Sequence, residues 1–305
     1  MRLLDNVSLA LKLPLVLGSV ALVALLTMGY TGYHYARAAL LKAGEEQVDI
    51  IVDTKELEVE AWFAVVSADL RSLAESPQTG RALRDYARAW ERMGDAPGAL
   101  LRHHFIELNP HPKGLRHKLK SVSDISDYSI AHGRYHGVYT AFVEQKGYHD
   151  VLMVDVAGNV IYSAAKEEDF GQNLFTGELR STSLSRLVRR VMHLPEADVI
   201  FADFAFYGPS GTEPASFAAV PLRDNDGKTV GALVFKIGAD QVTALTLGPA
   251  EHHHEESLTY LVGKDLKLRS DVLGFDGHSI LSLRSASQTV RAAFAEGEAL
   301  MLEPG

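Results

Sequence analysis

The chain has no cysteine in its 305 residues. That excludes disulfides, thiolate catalysis and cysteine-ligated metals, and it suits an oxidising compartment. Phosphate-binding loops are missing as well: there is no Gly-x-x-x-x-Gly-Lys-Ser/Thr and no dinucleotide Gly-x-Gly-x-x-Gly. Nor is there a Gly-x-Ser-x-Gly nucleophile elbow. Positive charge is scarce, with 30 Lys and Arg against 39 Asp and Glu for a net charge of -9. Without a concentrated basic face carrying interleaved aromatics, nucleic acid is not expected as a partner. From Tyr35 to Ser76 there is no proline and a single glycine, Gly44.

Apolar residues are plentiful, at 47% of the chain, enough for one or two folded domains with real cores. From Leu13 to Tyr33 no side chain is charged, and a membrane-spanning helix needs about 20 such residues. A buried core helix would keep a polar face. The run exceeds the apolar region of a cleavable signal and has no Ala-x-Ala site, so residues 13–33 read as a retained anchor, with Tyr30 and Tyr33 at the far interface. Arg2 and Lys12 precede the span while Arg37 and Lys42 follow it; the early pair favours a cytoplasmic N-terminus. The expected layout is therefore residues 1–12 inside, a single pass through the inner membrane, and residues 34–305 outside the cytoplasm.

Residues 34–76 read as one long amphipathic helix, since Val48, Val52, Val59, Trp62, Val66, Leu70 and Leu73 recur mostly in threes and fours, broken by Lys55. The stripe suits a parallel homodimer seam, packing on the chain's own domain, or both in succession. Residues 77–148 form a helical region: Ser76-Pro77 ends the long helix, helices follow at 80–93, 100–108 and 128–146, and Gly147 is placed as a C′ residue. Strands are predicted at 150–156, 160–164, 199–207, 215–221 and 229–237, with a helix at 183–193. Short turns such as Asp224-Asn225-Asp226-Gly227 make the sheet antiparallel and the fold class α+β. The stretch from Asp150 to Asn173 organises this part: a hairpin about Ala157-Gly158-Asn159, then Lys166-Glu167-Glu168-Asp169 and Phe170-Gly171 at the rim of the sheet.

Several segments resemble the extracytoplasmic Cache (PAS-like) sensor regions of bacterial transmembrane receptors, chiefly methyl-accepting chemotaxis proteins and membrane-bound nucleotide cyclases. They are Asn109-Pro110-His111-Pro112-Lys113-Gly114, Ser126-Asp127-Tyr128, His132-Gly133-Arg134-Tyr135-His136, Gly147-Tyr148-His149-Asp150-Val151 and Lys166 to Leu174, then Asp203 to Ser210 and Pro214 to Phe217. The likeness covers most of residues 1–247 and implies a first Cache-like module at 149–247. Thr259 to Gly263 and Leu268 to Asp271 are similar to the opening of a second module, so 248–305 is expected to be a partial one, with a hairpin of 258–262 and 266–269 and then 285–298 either helical or poorly ordered. The aromatic-Arg-aromatic pattern of amino-acid-binding double-Cache sensors is not apparent. What the resemblance implies is a ligand-sensing region of a receptor, chemotaxis being the first parent considered. The sensor portion of a nucleotide cyclase and a membrane-anchored interaction protein without sensing stand as alternatives.

No catalytic residue, metal ligand or cofactor is assigned. Glu167, Glu168 and Asp169 are adjacent and so do not point one way. His132 and His136 share a helix face at metal-ligand spacing, but half-exposed imidazoles beside Arg134 are the plainer reading; the Glu251 to Glu256 segment reads as a solvated loop. The expected partners are a small-molecule ligand, the membrane and a second copy of the chain. The expected ligand site is Tyr162, Asp203 and Tyr207 as a floor, with Lys166 and Asp169 selecting charge at the rim. Asp203 has two readings. Either Val199, Phe201, Asp203, Ala205 and Tyr207 share the apolar face, or Ile200, Ala202, Phe204 and Phe206 do and Asp203 faces water.

Overall fold

The computed structural model describes residues 8–122, 126–194, 198–247, 259–272 and 279–296. It divides into two compact units, Met1–Thr54 and Lys55–Gly305, each taken by itself below. The expected loop at 251–256 and the first residue of the expected second hairpin, at 258, lie outside the described residues, as do residues 1–7.

The first unit is helical, formed by the leading part of α1 (Leu9–Glu75). It carries the one helix, among the described residues, long and apolar enough to cross a membrane. Leu15, Leu22, Val23, Leu26 and their neighbours are all exposed. The serine and threonine hydroxyls within the run are satisfied internally: Ser19 Oγ donates to Val16 O (2.8 Å), Thr27 Oγ1 to Val23 O (2.7 Å) and Thr31 Oγ1 to Thr27 O (2.9 Å). Such pairing is what a hydrocarbon environment demands of polar groups.

The second unit is α+β. Its sheet has five antiparallel strands, β1 (Asp150–Asp155), β2 (Val160–Ser163), β3 (Ile200–Phe206), β4 (Pro214–Arg223) and β5 (Thr229–Gly238), in the order β2-β1-β5-β4-β3. One face, with Val151, Met153, Leu233, Phe235, Ile237, Ala218 and Val220, packs against Val66 and Leu70 of α1 and against α2 (Pro77–Arg92), α3 (Pro97–Arg102) and α4 (Ser126–Lys146). The other face, with Leu152, Val154, Phe217, Ala219, Ala232 and Val234, is covered by α5 (Ser183–Met192) through Leu184, Leu187, Val188 and Val191. Because both faces are covered, β4 and β5 read as continuous apolar runs and not as alternating ones.

Local chemistry explains the helices. Ser76 caps α2, its Oγ accepting from Gln78 N (3.3 Å), with Pro77 at the first turn. In α4 the residues turned inward are Tyr128, Ala131, His132, Tyr135, His136 and Tyr139, a stripe of threes and fours. Gly133 and Gly137 face open space, so they do not break it. Gly147 ends α4 at φ +78°, its N–H donating to Val143 O (2.8 Å), as a C′ glycine should. The expected helix at 100–108 is instead α3 followed by a wider π-type turn, His103–Glu107.

Beyond β5 the chain forms α6 (Ala239–Leu247) and, later, α7 (Gln288–Glu296). Where the second hairpin was expected, the described residues form the isolated bridges Val262↔Leu268 and Lys267↔Arg284, with Arg269 N donating to Leu261 O (2.7 Å) and Gly263 N to Lys267 O (2.9 Å).

Candidate functional site

The hairpin β1–β2 turns as its sequence requires: Gly158 sits at φ +88°, and Asp155 accepts from Asn159 N and Nδ2, each at 2.8 Å. The chain then doubles back along β2, Val160 N donating to Gln172 O (2.9 Å) and Gly171 N to Val160 O (3.0 Å). This return places Lys166 to Asp169 across the end of the sheet where β1 begins and β5 ends. The bend is held against α3 at glycine distance. A Cβ on Gly98 would stand 2.0 Å from Gly171 O, so neither α3 nor the bend tolerates a side chain there.

Asp150 fixes the inner side of the bend. It is buried and accepts from Val151 N (2.7 Å), Ala164 N (2.8 Å), Ala165 N (2.9 Å) and Ser163 Oγ (2.6 Å). Burial and the nearby Asp169 carboxylate push its pKa up to about 7, against the lowering effect of those donors.

The four residues of the bend point different ways. Glu168 faces Arg102 (3.3 Å) and Arg116 (3.0 Å). Glu167 pairs with Lys236, a buried lysine in the middle of an apolar strand, and lies 3.4 Å from His149. Burial raises the Glu167 pKa, but His149 and Lys236 together overcome it and hold the group at about 2. Asp169 Oδ2 accepts from the Tyr207 hydroxyl (2.8 Å), while its Oδ1 is buried with no partner among the described residues. Burial raises the pKa of both Asp169 and Tyr207.

Lys166 turns to the α4 side. It is fully buried, adopts φ +56°, and has no carboxylate partner among the described residues. Its Nζ lies 3.1 Å from His136 Nε2 and 5.8 Å from the Phe105 ring centroid. Burial lowers its pKa to about 7, opposed by the charge of Asp150. His136 is held near 3 by burial and by Lys166, so it is neutral. With the proton on Nε2 it donates to His117 O (2.6 Å), and Nδ1 accepts from the Tyr162 hydroxyl (2.9 Å). His132 stacks on it at 4.1 Å, its Nδ1 2.6 Å from Lys120 O and its Nε2 without a partner among the described residues. Both imidazoles are buried, not half-exposed, and no group of three metal-ligating side chains occurs among the described residues.

The five expected site residues are thus divided. Tyr162 meets Lys166 through His136 on the α4 face, and Tyr207 meets Asp169 on the α5 face. Asp150 acts electrostatically on Lys166, Tyr162, Asp169 and Tyr207 alike, so the halves form one buried polar system around the end of the sheet. Asp203 is not brought to it. Its side chain is 64% exposed and takes a bidentate ion pair from Arg269 (2.7 and 2.8 Å). A bulge in β3 between Ala202 and Ala205 is the cause. Ile200 and Ala202 lie on the α5 face, Phe201 and Phe204 on the other, and Tyr207 returns to the α5 face. An extra residue flips the alternation, so neither strictly alternating reading of this strand applies.

Two cavities open onto this end of the sheet and share His149 and Asp240. One, of about 240 Å³, is lined by Ser210, Glu213 and Lys236; the other, of about 340 Å³, by His117, Glu144 and Glu167. Ser210 Oγ is buried without a partner among the described residues. Carboxylates outnumber cations in both walls. Sequence reasoning missed Asp150, Lys236, His149 and Ser210; Lys236, a single charge inside Val230 to Ile237, was the available signal.

No family model matches the chain, and no curated protein matches it. Among solved structures it is similar to the ligand-binding domain of the Pseudomonas fluorescens chemoreceptor CtaA in complex with L-serine, at 9% identity, covering 74% of this chain and 70% of that one, TM-score 0.41. It is also similar to the sensor domain of the V. cholerae histidine kinase DctB, at 14% identity, 62% and 66% coverage and TM-score 0.35. A third is the sensory domain of the Campylobacter jejuni chemoreceptor Tlp3, at 12% identity, 74% and 82% coverage and TM-score 0.38.

Proposed function

We propose that the chain is the extracytoplasmic ligand-sensing region of a membrane receptor, anchored by residues 13–33, with a Cache-like module at 149–247. Its ligand is a small molecule bearing a protonated amine, taken at the end of the sheet where β1 begins and β5 ends. The observation that carries this reading is the buried group of Asp150, Glu167, Asp169 and Lys236, with an unpartnered carboxylate oxygen on Asp169, behind two cavities rimmed by Glu144, Glu213 and Asp240. Buried ionisable groups cost stability unless they are matched, so a free buried carboxylate oxygen invites a cationic donor. Tyr207, whose ring lies 5.7 Å from Lys236 Nζ, already faces a cation.

A thermal-shift panel of amines, amino acids, monocarboxylates and neutral sugars on the detergent-solubilised chain tests this reading. Amine-bearing compounds are expected to raise the midpoint, by about 2.7 kcal/mol of added stability at a hundredfold excess over Kd. Shifts confined to compounds without a cationic group would overturn the ligand class, and no shift with any compound would favour the interaction-protein alternative. Chemotaxis remains the parent activity we favour over a nucleotide cyclase.

The receptor reading carries a second expectation, a parallel homodimer seam along α1 through Val48, Val52 and Val59, where Val48 is 40% exposed. The chain has no cysteine, so Val48→Cys and Val52→Cys are clean probes. Disulfide cross-linking in membranes is expected at both and not at exposed Thr54→Cys; equal yields at all three would count against the seam.

A further inference from the structure

At the opposite end of the sheet a cleft of about 550 Å³ opens between the end of α1, the first turns of α2 and the turn from β4 to β5. Four arginines line it, Arg71, Arg81, Arg84 and Arg223, with Glu75 as the one carboxylate in the wall. In a chain of net charge -9 that concentration is unusual. Among the described residues Arg81 and Arg84 have neither an ion pair nor a hydrogen-bond partner. Among the same residues Arg223 donates to the backbone carbonyls Leu194 O (2.7 Å) and Gly227 O (2.8 Å), and Arg71 pairs with a carboxylate, Asp198 at 2.9 Å.

These cations repel one another, Arg81 and Arg84 most of all at i,i+3 on one helix. Nor does Arg84 swing away: its Nη1 lies 3.6 Å from the Cβ position of Gly80, back along the first turn of α2. That turn contains no acidic residue, so the positive end of the helix adds to the field. Guanidinium forks suit the paired oxygens of phosphate and carboxylate, and the volume falls within the usual range for small-molecule sites.

We propose that this cleft is a second binding site, which takes a small anion carrying two or more negative charges on phosphate or carboxylate oxygens. It is separate in place and in charge from the amine site proposed above. Calorimetric titration of the detergent-solubilised full chain with pyrophosphate and with citrate, acetate serving as the monovalent comparison, tests it and tells phosphate from carboxylate. One of the two multivalent anions is expected to bind at least about tenfold more tightly than acetate, with affinity falling as salt rises. An Arg81→Gln, Arg84→Gln double variant should lose about tenfold or more of that affinity, a 1.4 kcal/mol change being tenfold. Exposed Arg180→Gln, away from the cleft, and Asp169→Asn, in the other site, should keep it. The variants are first shown to keep the wild-type thermal midpoint in the absence of anion. Equal binding of all three anions, or a double variant that binds as wild type does, would overturn the proposal and leave the amine site untouched.

Discussion

Lys166→Met is expected to be more stable than the wild type. The lysine is fully buried, left-handed at φ +56°, and among the described residues has the neutral His136, a carbonyl and the Phe105 ring within reach but no carboxylate partner. Its folded pKa, about 7, lies below the 10.5 of the free side chain. Between those values the unfolded chain binds the extra proton, so this group's contribution to stability rises with pH across pH 7 to 10.5 and is at its worst below that window. Replacing such a charge with an apolar side chain of similar length gains on the order of 1–4 kcal/mol, or roughly 2–4 °C per kcal/mol for a region of this size. Thermal midpoints at pH 7 and pH 10.5 check it: the advantage should be present at the first and shrink toward the second. A variant less stable than wild type at pH 7 would mean that Lys166 has a structural partner. A residue that costs stability where it sits is best explained by what it does there.

Asp150→Ala should have the opposite sign and a larger size. It strips the acceptor from the backbone N–H groups of Val151 and Ala165 and from the Ser163 hydroxyl, while Ala164 N keeps Val151 O at 3.1 Å, and each buried donor left unmatched costs about 1–3 kcal/mol. A loss of roughly 3 kcal/mol or more is expected by urea denaturation, with the bend at 164–171 becoming the first segment to exchange its amides. Asp150→Asn, which keeps one acceptor oxygen, should lose less. It should also change the pH profile. With a folded pKa of about 7 against 3.8 for the free group, the native state binds the extra proton between those values, so stability falls as pH rises from 4 to 7. That decline should be smaller in Asp150→Asn, with the part due to Asp169 left, whereas the Lys166 limb above pH 7 should remain.

Much of this arrangement was readable from residues alone. The hairpin at Gly158 was legible because a turn residue and two β-branched runs are local signals, and the strands of the sheet follow from the same rule. The α+β class followed with them. The placement of the acidic run was legible too: adjacent residues on a bend diverge, and Glu167, Glu168 and Asp169 reach three different partners. Asp203 was set on the floor of the site with a water-facing position as the other reading, and its side chain is exposed; a bulge leaves no mark in an alternating sequence, so strand parity inverts silently across it. Tyr162 and Tyr207 were placed on one floor, but the bulge in β3 turns Tyr207 to the α5 face while Tyr162, in β2, stays on the α4 face. His132 and His136 were judged by their spacing. Their burial came from the whole aromatic stripe of α4, with Tyr128, Tyr135 and Tyr139 on the same face, which marks that face as core. Lys236 and Asp150 went unassigned, although a lone charge in or at the start of an apolar strand is the stronger sign of a buried polar site.

In the proposed site the ligand is read by the buried carboxylate at the end of the sheet and not by the exposed one on the bulged strand. Calorimetry with an amine identified by the thermal-shift panel, on wild type, Asp169→Asn and Asp203→Asn, tests it most directly. Asp169→Asn is expected to weaken binding by about thirtyfold or more, the loss of one buried charge-assisted contact of roughly 2 kcal/mol, while Asp203→Asn binds as wild type does. Wild-type affinity in a folded Asp169→Asn protein, or a comparable loss in Asp203→Asn, would contradict the account.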